Sequence, residues 1–212
     1  MSLSYSGRSI RYSSMNIVFD LGGVVFHWSP DEIIADLFGS KEIRDHVKKQ
    51  VFEHPDWIAL DRGTLERSAA IENAVFRTGL PRSDIIRLMD HVPETLIPKP
   101  KTLELIRLVK KSGNRIFILS NMQVPAIHYL REKYHFWALF DGIVVSCEIH
   151  MVKPESGIYQ YLLQKYNLSP EETVFIDDMM VNLKPAEELG IHCIQFKNPV
   201  QCKEELKSRG CV

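Results

Sequence analysis

The sequence predicts an α/β protein, a doubly wound parallel sheet carrying a helical insert after its first strand. Three observations lead there. Short β-branched or aromatic runs, bounded by Gly, Asp, Ser or Asn, recur at residues 16–19, 115–119, 142–145, 173–176 and 191–196. Helically periodic segments separate the later runs, at 101–112, 124–134, 155–166 and 181–189, and such alternation builds a parallel sheet with helices on both faces. Between residues 27 and 97 no run of similar quality occurs, and the periodicity is helical at 31–38, 42–51, 65–78 and 83–90.

Taken in order, residues 1–14 are rich in Ser, Tyr and Arg and lack the apolar stretch of a secretory signal, so a loose extension is expected. The first strand follows, and residues 27–97 form the insert, closed off by Pro98 and Pro100. In 101–112 the apolar residues Leu103, Leu105, Ile106, Leu108 and Val109 keep helical spacing, and Gly113 supplies a stop. Residues 15–26 and 98–212 then make one α/β core. The insert of about 70 residues explains a chain of 212, long for one small domain and short for two independent ones.

Composition narrows the function. With 26 Lys+Arg against 27 Asp+Glu there is no broad basic field, so nucleic acid is not expected as a partner. No apolar run approaches the roughly 18 residues of a membrane span. Cys147, Cys193, Cys202 and Cys211 are scattered without C-x-x-C spacing, which fits reduced thiols in a cytoplasmic protein. Nothing in the sequence addresses oligomeric state.

In doubly wound sheets ligands bind beyond the carboxyl ends of the strands. The polar residues at those ends are Asp20 after the first strand, Ser120 and Asn121 after the second, Lys153 beyond the third, and Asp177 with Asp178 after the fourth. Carboxylates that converge repel each other unless a cation lies between them, and all-oxygen ligands favour Mg²⁺. A lysine and a hydroxyl beside them suit a phosphate oxygen. A carboxylate facing that phosphate can attack phosphorus and form an acyl phosphate, which water then hydrolyses.

Phe19-Asp20-Leu21-Gly22-Gly23-Val24, Ile118-Leu119-Ser120-Asn121, Met151-Val152-Lys153-Pro154-Glu155 and Phe175-Ile176-Asp177-Asp178-x-x-x-Asn182 together resemble the haloacid dehalogenase-like (HAD) hydrolase superfamily. The similarity spans about residues 15–197. It is densest at 146–194, where it resembles the phosphatase domain of soluble epoxide hydrolases; the Asp-Leu-Gly-Gly opening is similar to bacterial α-glucose-1-phosphate phosphatases. The resemblance implies a Rossmann-like core with a cap, here residues 27–97. It implies Asp20 as nucleophile and metal ligand, and Ser120, Asn121 and Lys153 around a phosphoryl group. Asp178 would bind Mg²⁺, with Asp177 beside it as ligand or support, the Gly22 carbonyl as a further ligand, and Asn182 in a supporting role. Leu60-Asp61-Arg62-Gly63-Thr64 resembles the family's glycine-containing specificity loop. The substrate expected is a small phosphorylated metabolite, sugar phosphates among the possibilities.

One position departs from the family pattern. Gly22 stands where most family phosphatases carry a second Asp that protonates the leaving group, a function worth 10²–10⁴-fold in rate. Either the substrate has a good leaving group, as sugar 1-phosphates and acyl phosphates do, or another group donates; His27 and Asp61 are candidates by proximity alone. A 2-haloacid dehalogenase needs no such proton, but the family's dehalogenases carry no metal and replace the late carboxylate pair. A catalytically weak phosphate-binding protein is the reading Gly22 leaves open. Mutase activity fits worst, because it depends on the missing acid. Trp28, Trp57 and Trp137 are expected to serve packing.

Overall fold

The structure is a computed structural model and describes residues 14–212. The extension expected at residues 1–14 lies outside the described residues except for Ser14. Among the described residues five parallel strands form one sheet in the order β3-β2-β1-β4-β5. They are β1 (Asn16–Phe19), β2 (Arg115–Ser120), β3 (Gly142–Val145), β4 (Thr173–Asp177) and β5 (His192–Gln195). β1 pairs in register with β2 through Phe19 and Ile118, and with β4 through Phe19 and Ile176. β2 and β4 run one residue further than their apolar runs, to Ser120 and Asp177, so the polar side chains at their ends are held by strand geometry.

Strand alternation sorts the core into two layers. Ile17, Phe19, Ile116, Ile118, Val174 and Ile176 face one side of the sheet. There they meet α6 (Pro100–Lys111), α7 (Val124–Lys133) and α11 (Pro199–Ser208). Val18, Phe117, Leu119, Val144 and Phe175 face the other, against α9 (Ser156–Tyr166) and α10 (Met180–Glu188). The third strand begins against that second layer. A methyl built on Gly142 would fall inside the Tyr166 ring, whose hydroxyl accepts from the Ile143 N–H at 2.9 Å and donates to its carbonyl at 3.0 Å. Gly142→Ala is therefore expected to cost about 1–3 kcal/mol of overpacking. It should appear as a lowered urea midpoint with little change in any activity at the distant strand ends.

Residues 30–95 build a helical layer with a cluster of its own, from Ile33, Ile34, Val47, Trp57, Ile71, Ile85 and Leu88. Its helices are α1 (Pro30–Ala35), α2 (Lys41–Val47), α3 (Pro55–Arg62), α4 (Arg67–Thr78) and α5 (Arg82–Thr95). α2 runs into a π-helical turn at Lys48–Phe52. The chain enters and leaves this layer through two adjacent segments, with the His27 N–H on the Ile97 carbonyl and the Lys99 N–H on the Val25 carbonyl, both at 2.8 Å.

Two helices of normal length were not anticipated from periodicity. α3 opens on Pro55, with the His54 ring nitrogen accepting from the Asp56 N–H at 3.1 Å, and its short apolar stripe hides between charged residues. α11 is mostly polar, yet Asn198-Pro199 followed by Gln201 forms a capping box, a signal that was legible in the sequence. A single helical turn, α8 (Ser146–Ile149), directly follows β3. Among the described residues no helix is long and apolar enough to cross a membrane.

Candidate active site

The strand ends converge. Asp20 leaves β1 while its N–H still bonds the Ile176 carbonyl at 2.9 Å, which fixes it beside the end of β4. Its Oδ1 accepts the Leu21 N–H at 2.7 Å and lies 2.8 Å from Lys153 Nζ. The same ammonium donates to Asp177 Oδ2 at 2.6 Å. Lys153 is 2% exposed and its two carboxylate partners 7% and 0%, so this is a buried charge cluster. Asn121 secures the lysine's backbone: its Oδ1 accepts the Lys153 N–H at 2.8 Å and its Nδ2 donates to the Lys153 carbonyl at 2.9 Å. Asn121 therefore does not cap α7; Gln123 stands at that position. Ser120 is buried, with its Oγ 3.4 Å from the Asn121 carbonyl, and does not line the cavity described below. Pro154 precedes α9 in a turn, and the Lys153–Pro154 peptide is cis.

The neighbouring aspartates do different work. Asp177 is occupied on both oxygens: Oδ1 takes the Met179 N–H at 2.8 Å, and Asn182 Nδ2 lies 3.1 Å from each oxygen. Asp178 instead faces the cavity across Gly23. At Gly23, φ is 74°, a conformation that favours glycine, and a side chain there would displace the Asp178 carboxylate. Asp20, Asp177 and Asp178 each offer an oxygen within 4.8 Å of the others. Burial pushes the Asp20 and Asp178 carboxyls above the ordinary carboxylate range, and the proximity of Asp177 adds to both shifts. Lys153 would lose its proton more readily on burial alone, but Asp20 and Asp177 outweigh that and hold it above the ordinary lysine value. A hard, anionic oxygen set with more negative than positive charge fits a divalent cation such as Mg²⁺.

Above the cluster opens a cavity of about 430 Å³ between sheet and helical layer. Asp20, Gly22, Asn121, Lys153 and Asp178 line its floor. Its walls include Trp28, Phe52, Trp57, Val92, Leu96 and Met122. Phe52 and Trp57 rings lie 4.4 Å apart and Trp28 is 6.0 Å from Trp57, a continuous aromatic wall. Trp28 and Trp57 thus line the cavity while packing, whereas Trp137 packs against Phe26 and Phe136. In the segment resembling the specificity loop, Leu60–Arg62 close α3 and Gly63 caps it in the left-handed conformation at φ 73°. Asp61 in that turn lines the cavity; His27 does not, and pairs with Glu32 at 2.7 Å. The cavity walls were not legible in the sequence, because they come from several helices and the loops between them with no common motif.

Comparison with known proteins agrees with this architecture. The sequence model of the haloacid dehalogenase-like hydrolases matches residues 15–190. The chain is 29% identical over 195 residues to the sesquiterpene phosphatase astK of Aspergillus oryzae, covering 92% of this chain and 96% of that protein. It is 41% identical over 68 residues to mouse bifunctional epoxide hydrolase 2, covering 32% of this chain and 12% of the relative. In fold it matches a HAD family enzyme of Bacteroides thetaiotaomicron, solved with magnesium and inorganic phosphate. That match has a TM-score of 0.65 and 21% identity, covering 87% of this chain and 94% of the other. With its sheet order, its strand-end cluster and a family match over most of its length, the chain belongs to the haloacid dehalogenase-like hydrolases.

Proposed function

We propose that this hydrolase is a Mg²⁺-dependent phosphatase acting on a small phosphomonoester with an apolar organic group, through an aspartyl-phosphate on Asp20. The observation that carries the reading is the buried Lys153 ammonium between Asp20 and Asp177, at the floor of a cavity with aromatic and aliphatic walls. A phosphate belongs at the charged end and a hydrocarbon at the other. Asp20 Oδ1 is engaged by the Leu21 N–H and Lys153, which leaves Oδ2 as the attacking atom. Lys153 neutralises phosphoryl oxygen charge, and Asp177, with Asn182 behind it, keeps the lysine in place. Asp20, Asp178 and the Gly22 carbonyl are the residues that would hold Mg²⁺, which when bound supplies positive charge against the phosphoryl oxygens. Residues 27–97 act as the cap that excludes water and selects the substrate.

The mainly apolar walls, with Trp28, Phe52 and Trp57 side by side, favour a hydrocarbon chain over the sugar phosphates considered from sequence. The name of the Aspergillus relative, a sesquiterpene phosphatase, points the same way. Each further methylene buried is worth about 0.8 kcal/mol, close to fourfold in binding. Isoprenoid or long-alkyl monophosphates are therefore expected to exceed glucose 1-phosphate in kcat/KM by at least about tenfold. EDTA should stop turnover and Mg²⁺ restore it. Metal-independent chloride release from 2-chloropropionate, with no phosphate released from any ester, would instead establish the dehalogenase reading.

A further inference from the structure

Phosphoryl transfer to Asp20 leaves an oxygen that needs a proton, and Gly22 has none to give. Asp61 is buried in the same cavity, 8% exposed, and is unused by the steps above. Its place is fixed from three directions. Ser146 Oγ, which also accepts the Met122 N–H at 2.9 Å, donates to the Asp61 carbonyl. Arg62 forms a two-pronged ion pair with Glu155 at the start of α9, at 2.5 and 2.8 Å. Gly63 lets the helix end land on α8, where a Cβ would meet the Cys147 carbonyl at 2.7 Å. These contacts fix the backbone of the turn that carries Asp61 against the core.

The groups facing Asp61 are Lys153 and Asp20 from the floor, Gln123 from the start of α7 and Cys147 from α8. Burial is the largest influence and pushes Asp61 up to about 8; Lys153 opposes this and Asp20 adds to it. The carboxyl is therefore a protonated acid at neutral pH, the state a donor needs. The Gln123 amide stands beside the carboxyl as a side-chain donor that favours its charged form and so opposes the rise. His27, the other candidate, is half exposed and faces Glu32 outside the cavity.

We propose that Asp61 is the proton donor to the leaving-group oxygen, delivered from the helical insert where Gly22 supplies no acid; this rests on the phosphatase reading above. In the first step a bond forms between Asp20 Oδ2 and phosphorus. The phosphorus–oxygen bond to the organic group breaks with its electron pair, and that oxygen takes the Asp61 proton to leave as an alcohol. In the second step Asp61 carboxylate takes a proton from water. The resulting hydroxide oxygen bonds to phosphorus, and the Asp20–phosphorus bond breaks to release inorganic phosphate.

The test compares n-decyl phosphate, whose alcohol needs a proton to leave, with p-nitrophenyl phosphate, whose phenolate does not. In single turnover with Mg²⁺, Asp61→Asn should slow decanol release by about 10²–10⁴-fold but nitrophenolate release by less than about tenfold. The kcat/KM of the wild type on n-decyl phosphate should fall above about pH 8, and that limb should vanish in the variant. Equal losses on both substrates, or no loss on either, overturn the assignment of Asp61. Failure of the wild type on every phosphate removes the phosphatase reading itself. Stability provides the folding control. An acid with a raised folded pKa stabilises the native state fully below the unfolded value near 4 and loses that contribution as pH rises to about 8. Asp61→Asn, neutral throughout, should therefore gain in denaturant midpoint over the wild type as pH rises across that window, and a variant that instead melts earlier at pH 8 counts against a buried, protonated Asp61.

Discussion

Asp20→Asn is expected to reduce phosphatase turnover by at least about 10⁴-fold and to leave the fold intact. The amide has the same shape but cannot form the acyl phosphate, and removal of a nucleophile typically abolishes everything except binding and electrostatic assistance. Folding should survive because burial already disfavours the charged Asp20 carboxyl, while Lys153 keeps its 2.6 Å bond to Asp177. The measurement is twofold: steady-state release of phosphate, and acid-quench trapping of radiolabelled phosphoenzyme. The wild type should carry label in an acyl phosphate and the variant none. A variant retaining more than about 1% of turnover would mean that another atom attacks phosphorus.

Lys153→Met is expected to damage stability as well as activity. The lysine is the positive member of a cluster with Asp20 and Asp177, and removing one partner of a buried ion pair strands the others. Such losses cost about 3–5 kcal/mol, which in a chain of this size corresponds to a fall in Tm of roughly 6–20 °C. Lys153 is held above its ordinary value, so its contribution is fully present below the unfolded lysine pKa near 10.4 and lost only at higher pH. The deficit should accordingly be seen at neutral pH, by calorimetry or denaturant titration. It should shrink on acidification, because stranded carboxyls can neutralise themselves by taking up protons. A variant as stable as the wild type at pH 7 would mean that the cluster is open to water and the lysine merely solvated.

These two residues, with the sheet that carries them, were readable from sequence for a specific reason. Each follows directly on, or within a loop of, an apolar β run, and a parallel sheet brings all its carboxyl ends to one edge. Ile17-Val18-Phe19 before Asp20 and Val174-Phe175-Ile176 before Asp177 therefore announce both the strands and the site, and paired strands place them side by side. The same logic does not reach the helical layer, whose periodicity shows that helices exist but not where they dock. α3 was missed for this reason, and with it the wall formed by Phe52 and Trp57.

Local sequence also could not divide labour between adjacent residues. Asp177 and Asp178 are equivalent as letters, yet alternation at the strand end turns one carboxylate onto Lys153 and the other across Gly23 into the cavity. His27 and Asp61 were equally near candidates on paper. The ion pair between Arg62 and Glu155, 93 residues apart, and the contact of Gly63 with α8 bury one of them and leave the other with Glu32. The sequence by itself determined the fold class, the family and the charged groups at the strand ends, because those depend on short runs and immediate neighbours. Only the tertiary structure decided which carboxyls face the cavity and what lines its walls, because burial and long-range docking set those and leave no periodic trace in the chain.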